Sequence, residues 1–283
     1  MMKIIESPRE GMQGFPRIIP TGEKVRYIDL LLRVGFDTVE TGSLVSPRLI
    51  PQMADSVEVL KNLNLSGITA NRMALAVNVR GAEILANMDE VTHIAFPFSF
   101  SPTFLKLNVN STVEQSLGIV EVITNLCDKN GKKAVIYISM AFGNTYGDPW
   151  NPDLLAEWVG KLRKAGAGII PLSNVSMEID AVMIGTVYSM LIPMFPDVEF
   201  GLHLHTANQR WSEKIEAAYL AGCRRFDGVI GGLGGCPMAG KEMLGNLKTE
   251  NLLEFAYGRK IPLATDIHAL KEAYQMAKEV FRE

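Results

Sequence analysis

A single (β/α)8 barrel is the fold that the sequence predicts, on three observations. Short apolar runs alternate with amphipathic stretches of helical period along most of the chain. The runs number eight, and most are followed by a helical pattern. No Pro/Ser-rich linker or charge block divides the 283 residues, and α/β barrels commonly spend about 250 residues on one domain.

Taken in order, the pattern opens with a strand at Lys3–Glu6, a helix over Glu23–Val34, a strand at Phe36–Glu40 and a helix near Ile50–Asn62. Strands follow near Met73–Val77, Val91–Phe96, Lys133–Ile138, Gly168–Leu172, Glu199–His203 and Arg225–Ile230. The helical patterns between them are Thr112–Lys129, Pro152–Ala165, Glu178–Ile192 and Ser212–Ala221. Val34-Gly35, Ala165-Gly166 and Ala221-Gly222 each place a glycine where a helix stops before a strand, the left-handed cap of a short αβ loop. Helical patterns at Thr249–Gly258 and Asp266–Phe281 are surplus to eight repeats, so residues 1–283 read as one catalytic domain with extra C-terminal helices, from about 249, packed on the barrel.

Composition narrows the function. With 47% hydrophobic and 21% charged residues, 25 Gly and 14 Pro, the chain is of soluble globular type. Lys and Arg number 28 against 31 Asp and Glu, a net charge of −3 that argues against gripping nucleic acid or an anionic membrane. No apolar run of about 18 residues occurs, and MMKIIESPRE meets charge early, so neither a membrane span nor a secretory signal fits and a cytoplasmic location is expected. Cys127, Cys223 and Cys236 are odd in number and widely spaced, which suits free thiols in a reducing compartment.

A barrel keeps its chemistry at the carboxyl ends of its strands. Four segments there are polar: Glu6–Gln13, Glu40–Ser46, Gly201–Gln209 and Gly231–Gly240, on neighbouring strands 1, 2, 7 and 8. In GLHLHT, His203 and His205 stand at i and i+2 and point the same way from a strand, as a divalent-metal half-site or as two hydrogen-bonded structural histidines. Glu10 and Asn246 could add hard oxygen donors, suiting Mg2+ or Mn2+ with Zn2+ also possible; as alternatives, Glu10 is an exposed loop acid and Asn246 a turn or helix cap. Arg9 could steady a developing oxyanion or form a salt bridge to Glu40, Glu6 or Asp37. Glu40, in VETG, could pair with Arg9 or order a metal-bound water.

The glycine-rich GGLGGCPMAGK presents Cys236 on a loop able to close over a ligand, a place for an acid/base or nucleophile, whereas Cys223 reads as buried and inert. GGLGG is a poor dinucleotide fingerprint, because Pro237 stands at its sixth position. His93 and His268 are isolated and read as structural.

Assembled, ESPREGMQ, VETGSLVSPRLIPQMAD, GLHLH and GGLGGCPMAG followed by GN and T-E-x-L make the chain resemble the 3-hydroxy-3-methylglutaryl-CoA lyase family of barrel metallolyases over nearly its whole length. The related Claisen-type synthases carry G-E-R-x-G-N in place of GLGGCP. The resemblance implies that Glu10, His203, His205 and Asn246 bind a divalent cation, that Arg9 stabilises a thioester enolate supported by Glu40, and that Cys236 takes part in proton transfer. It further implies an acyl-CoA or hydroxy-acid substrate, retro-Claisen cleavage to acetyl-CoA and a keto acid such as acetoacetate, and pairing as a homodimer.

Three positions depart from the family pattern. Glu10 replaces an Asp, Asn174 in LSNVSM replaces an Asp, and Thr206 follows the H-x-H where an Asp is sometimes found. Asn cannot serve as a base. The departures point to a divergent lyase on a related acyl-CoA or hydroxy acid, or to a weakened enzyme. An aldolase or condensing enzyme on a different hydroxy or 2-oxo acid, and a catalytically silent metabolite-binding barrel, are the alternatives. For CoA phosphates, Asn71 to Arg80 and the loop near Lys106 are candidates against a reading as solvated surface.

Overall fold

Eight parallel strands close into a barrel in sequence order, in a computed structural model that describes residues 1–175, 177–206, 210–234 and 244–282. The order is β1 (Lys3–Glu6), α1 (Pro8–Gln13), α2 (Thr21–Arg33), β2 (Thr38–Leu44), α3 (Ser56–Lys61), β3 (Asn71–Ala76), α4 (Val79–Ala86), β4 (His93–Phe98), α5 (Pro102–Val109) and α6 (Val113–Lys129). It continues with β5 (Lys133–Ser139), α7 (Pro152–Lys164), β6 (Ile169–Ser173), α8 (Ala181–Met194), β7 (Glu199–His203), α9 (Trp211–Leu220), β8 (Arg225–Gly228), α10 (Thr249–Gly258) and α11 (Ile267–Val280). The predicted (β/α)8 barrel is therefore the fold. None of the described helices is long and apolar enough to cross a membrane.

Local chemistry explains the elements. Thr112 and Gln115 close a capping box on α6. Asn151 caps α7 and Pro152 occupies its first turn, where no N–H is missed. Gly35 has φ 91°, and a Cβ there would sit 1.9 Å from the Ala264 carbonyl oxygen, so this turn admits glycine alone.

The main apolar core lies between the strands and the surrounding helices. A second cluster, Ile5, Met73, Ala95 and Val135, comes from β1, β3, β4 and β5 and fills the barrel interior. The interior also holds a charge: Arg225 is buried, 3.6 Å from Glu199, and a Cβ on Gly201 would lie 3.0 Å from its Cδ. The absence of a side chain at Gly201 is what makes room for the methylene stem of Arg225. At the C-terminus α11 packs on α2, with Phe281 edge-on to Tyr27 and Phe15 at 5.9 and 5.5 Å.

Three local expectations are corrected. Glu6–Gln13 is not a loop after Glu6: Pro8 starts α1, so Arg9 and Glu10 sit on a helix. The second strand does not end at Glu40; it continues to Leu44 across a bulge between Glu40 and Gly42. The helix expected near Ile50–Asn62 is split into a 3-10 turn at Pro51–Met53 and α3.

Candidate active site

A cavity of about 230 Å3 opens at the carboxyl ends of the strands. Arg9, Glu10 and Gln13 of α1, Glu40 of β2, Tyr137 of β5, His203 of β7 and His205 beyond it all line it. Four predicted residues besides Arg9 and Glu40 were expected around a cation. Of these Glu10, His203 and His205 reach the cavity wall, whereas Asn246 is buried beside it, in an antiparallel bridge to His205. Cys236 lies outside the described residues.

Arg9 organises the acidic side. Its Nε and Nη2 donate to one Glu40 oxygen at 3.0 and 2.7 Å, Nη1 donates to Gln13 Oε1 at 2.8 Å, and Nη2 is 2.7 Å from Glu10 Oε1. The salt bridge to Glu40 that the sequence offered as an alternative is thus made, while Glu6 is engaged elsewhere. Four of the five guanidinium N–H groups are engaged in these contacts, which leaves one on Nη1. Burial opposes the charge on Arg9, but Glu10 and Glu40 outweigh it and hold the group protonated. Burial raises the Glu40 carboxyl against the pull of Arg9. Glu10 goes the other way: burial would raise it, but the charges of Arg9, His203 and His205 bring it down.

The imidazoles face each other, Nε2 to Nε2 at 3.1 Å. His203 Nδ1 donates to Asp227 Oδ2 at 3.0 Å, and the Tyr137 hydroxyl donates to the same oxygen at 2.7 Å. Burial disfavours charge on His203, yet the Asp227 hydrogen bond and the nearby carboxylates raise it. Burial and His203 push His205 down to about 4. With Nδ1 tied to a carboxylate, Nε2 is the ring nitrogen that His203 turns to His205.

Asn174 does not reach the cavity as a base. It grips the main chain of His205 from both sides: Oδ1 accepts from His205 N at 2.8 Å, and Nδ2 donates to His205 O at 2.7 Å and Met177 O at 2.9 Å. Next along, the Thr206 N–H donates to Gly245 O at 3.0 Å, and its hydroxyl meets the buried Lys214 ammonium at 2.7 Å and Glu178 at 2.8 Å. Lys214 also pairs with Glu178. Burial lowers Lys214 to about 8.

The donor set fits a divalent cation in part. Two imidazole nitrogens bound cis at 2.0–2.1 Å stand about 3 Å apart, the separation found here. Asn246 Nδ2 donates to Leu233 O at 2.7 Å, which fixes the amide so that Oδ1 is its remaining donor atom. Among the described residues no three His, Cys, Asp or Glu side chains stand ready as a cage, the Glu10 carboxylate being turned to Arg9.

The isolated histidines both lie away from the cavity. His93 is buried at the amino end of β4, bonded to Thr92 and pushed down to about 4 by burial, and His268 is exposed on α11. Cys223 is buried and its thiol is pushed up to about 12 by that burial. Of the stretch considered for CoA phosphates, Asn71 and Arg72 begin β3 at the far end of the barrel, and Lys106 bonds Asn110. Gln13, Tyr137 and Asp227 were missed. Gln13 is one helical turn beyond Arg9, a signal lost by reading α1 as a loop; Arg225 and Asp227, at i and i+2 in an apolar strand, were the sign of an inward polar column.

The chain is 32% identical over 283 residues to the mitochondrial hydroxymethylglutaryl-CoA lyase of Bos taurus, covering 96% of this chain and 83% of the relative. It is 29% identical over 273 residues to the (R)-citramalyl-CoA lyase of Chloroflexus aurantiacus, covering 93% and 86%. The structure of an HMG-CoA lyase from Acinetobacter baumannii, in complex with coenzyme A and 3-methylmalate, superimposes with a TM-score of 0.90 at 26% identity, over 99% of this chain and 91% of that one. The family described as HMGL-like matches residues 2–277, and the chain belongs to it.

Proposed function

We propose that the protein is a divalent-metal-dependent carbon–carbon lyase that cleaves a 3-hydroxyacyl-CoA to acetyl-CoA and a keto acid. The observation that carries the proposal is the facing pair of imidazole nitrogens, 3.1 Å apart, beside the Arg9–Glu10 pair at the mouth of the barrel. Its nearest support from relatives is that they are named as lyases of CoA esters.

His203, His205, Glu10 and Asn246 would hold the cation, with Mg2+ or Mn2+ suited to the mixed nitrogen and oxygen donors and Zn2+ also compatible. A bound cation supplies acidification of a tertiary hydroxyl and orientation of the substrate's oxygens. The protein does the rest. The hydroxyl proton leaves to a base, the bond between the carbinol carbon and the thioester α-carbon breaks, and its electron pair passes into the thioester enolate. The remaining Arg9 N–H is available to the enolate oxygen, and Glu40 and Gln13 keep the guanidinium from turning away. Asp227 and Tyr137 hold His203 in the tautomer that presents Nε2. Cys236 is assigned the proton transfer that completes acetyl-CoA. A homodimer in the cytoplasm is the proposed setting, to be checked by sedimentation and fractionation.

The test is release of acetoacetate from 3-hydroxy-3-methylglutaryl-CoA by metal-stripped protein, with and without Mg2+ or Mn2+, alongside Cys236→Ala. Metal-dependent release lost in the variant is the expected result. No metal-stimulated cleavage of this ester or of citramalyl-CoA would overturn the lyase reading.

A further inference from the structure

The barrel interior carries a charged group that the proposed chemistry does not use. Arg225 and Asp227 stand at i and i+2 on β8 and so point to the same face of the strand. In the parallel register with β7, Gly201 lies beside Arg225 and His203 beside Asp227. The guanidinium therefore belongs to the layer beneath the carboxylate that accepts from His203. Met73 of the interior cluster ties the two layers together: its Sδ is 4.0 Å from Arg225 Nη2 and 3.9 Å from the Tyr137 hydroxyl, which donates to Asp227.

Both charges are out of water, Arg225 at 1% exposure and Asp227 at 2%. A buried charge is costly unless another offsets it. The hydrogen bonds that Asp227 accepts from His203 and Tyr137 both fall on Oδ2, and its Oδ1 is buried with no hydrogen-bond partner. Arg225 Nε is likewise buried without one. Glu199, 3.6 Å from Arg225, has a cation of its own, since it accepts from Lys3 at 2.6 Å through its other oxygen and its side chain is 32% exposed. Burial opposes the charge on Arg225, and the Asp227 and Glu199 carboxylates are among the groups that outweigh it.

We infer that Arg225 is a positioning residue for the site: it is the counter-charge that lets the Asp227 carboxylate lie in the barrel interior against His203, and it thereby holds the imidazole in place for a cation. Gly201 admits its methylene stem. The inference rests on the reading of His203 and His205 as metal-binding.

The experiment measures Mn2+ affinity by calorimetry and stability by urea titration in Arg225→Met, Arg225→Lys, Asp227→Asn, and Arg225→Met combined with Asp227→Asn. Arg225→Met keeps the stem and removes the charge, and Mn2+ affinity is expected to fall about tenfold. Arg225→Lys returns the charge and should recover most of that loss. In urea, Arg225→Met should lower the folding equilibrium constant about tenfold more in the native background than alongside Asp227→Asn, because the double variant leaves no carboxylate there without a counter-charge. If Arg225→Met alone does not fold, the double variant is expected to fold, and its failure overturns the inference. Equal effects in the two backgrounds, or native Mn2+ affinity in Arg225→Met, also overturn it. If the unaltered protein binds no Mn2+, the metal reading fails and takes the positioning role with it, whereas the urea coupling still decides whether Arg225 and Asp227 form a charge pair.

Discussion

Replacing Asn174 separates holding from catalysing. In Asn174→Ala, the His205 N–H loses its acceptor and the carbonyls of His205 and Met177 lose their donor. Asn174 is buried, so water does not simply take over these bonds. One orphaned buried N–H costs about 1–3 kcal/mol, and each lost bond to a carbonyl about 1 kcal/mol. Partial relaxation brings the total to about 2–4 kcal/mol, or a fall in Tm of roughly 5 °C or more for a chain of this size. Asn174→Asp keeps an acceptor for His205 N but sets a carboxylate against two carbonyl oxygens, and is expected to be no more stable than the alanine variant. Because the main chain of His205 carries one of the two facing imidazoles, Mn2+ affinity, read by paramagnetic resonance, falls with stability in both variants. Unchanged Tm and Mn2+ affinity in Asn174→Ala would refute the assignment of Asn174 as a clasp on His205. A variant with native stability, native Mn2+ affinity and no turnover would instead place Asn174 in the reaction itself.

Other perturbations address separate parts of the site. Arg9→Lys cannot reproduce the four engaged N–H groups, and kcat is expected to fall by about 10²–10³ with the circular-dichroism spectrum intact. Asp227→Asn removes the carboxylate behind His203 and should weaken Mn2+ binding by about 10–100-fold in calorimetry. Burial raises Glu6 to about 8 from 4.5, although Thr249 and Ile230 hydrogen-bond it. The folded protein then holds a proton that the unfolded chain gives up, so the contribution of Glu6 to stability is full below about pH 4.5 and lost as pH rises to about 8. Urea titrations across that window should show a downward slope that Glu6→Gln flattens. Gly201→Ala places a Cβ 3.0 Å from Arg225 Cδ and 3.2 Å from Pro171 Cβ, an overpacking expected to cost about 1–3 kcal/mol in the same titrations.

Strand positions were legible because an apolar run bounded by turn residues has few other uses, and β1 and β7 have the limits their patterns imply. Short helices were less so. α1 contains Pro8 and Gly11, residues that read as a turn, yet Pro8 occupies the first turn of the helix, where it is tolerated. α4 and α5 were overlooked although Asn78 and Ser101 cap them, because eight residues give too few turns for the apolar period to stand out. In the site, residues carried by a local motif were found: His203 and His205 by their spacing, and Arg9 and Glu10 by their place after a strand. Asp227 and Tyr137 were not, since they meet His203 only through the pairing of β7 with β8 and through packing across the barrel interior, 24 residues away in one case.

Sequence alone also treats the three departures from the family pattern as equals, and their surroundings separate them. Glu10 faces the cavity and is in contact with Arg9, so its extra methylene changes the lining itself. Asn174 and Thr206 lie behind His205, one gripping its main chain and the other linking the next residue to Lys214 and Glu178. An Asp at 174 could accept from His205 N but could not donate to His205 O, so the amide is what allows both sides of that peptide to be held. The hydroxyl of Thr206 serves a related end, accepting from the Lys214 ammonium while donating to Glu178. Asn174 and Thr206 therefore amount to one support behind His205. A double-mutant cycle between Asn174→Ala and Thr206→Val, read as Tm and as Mn2+ affinity, should give a coupling of about 0.5 kcal/mol or more, while Glu10→Asp combined with either should add without coupling in Tm. Strict additivity between Asn174 and Thr206 would mean that they support His205 independently and that the shared support is wrong.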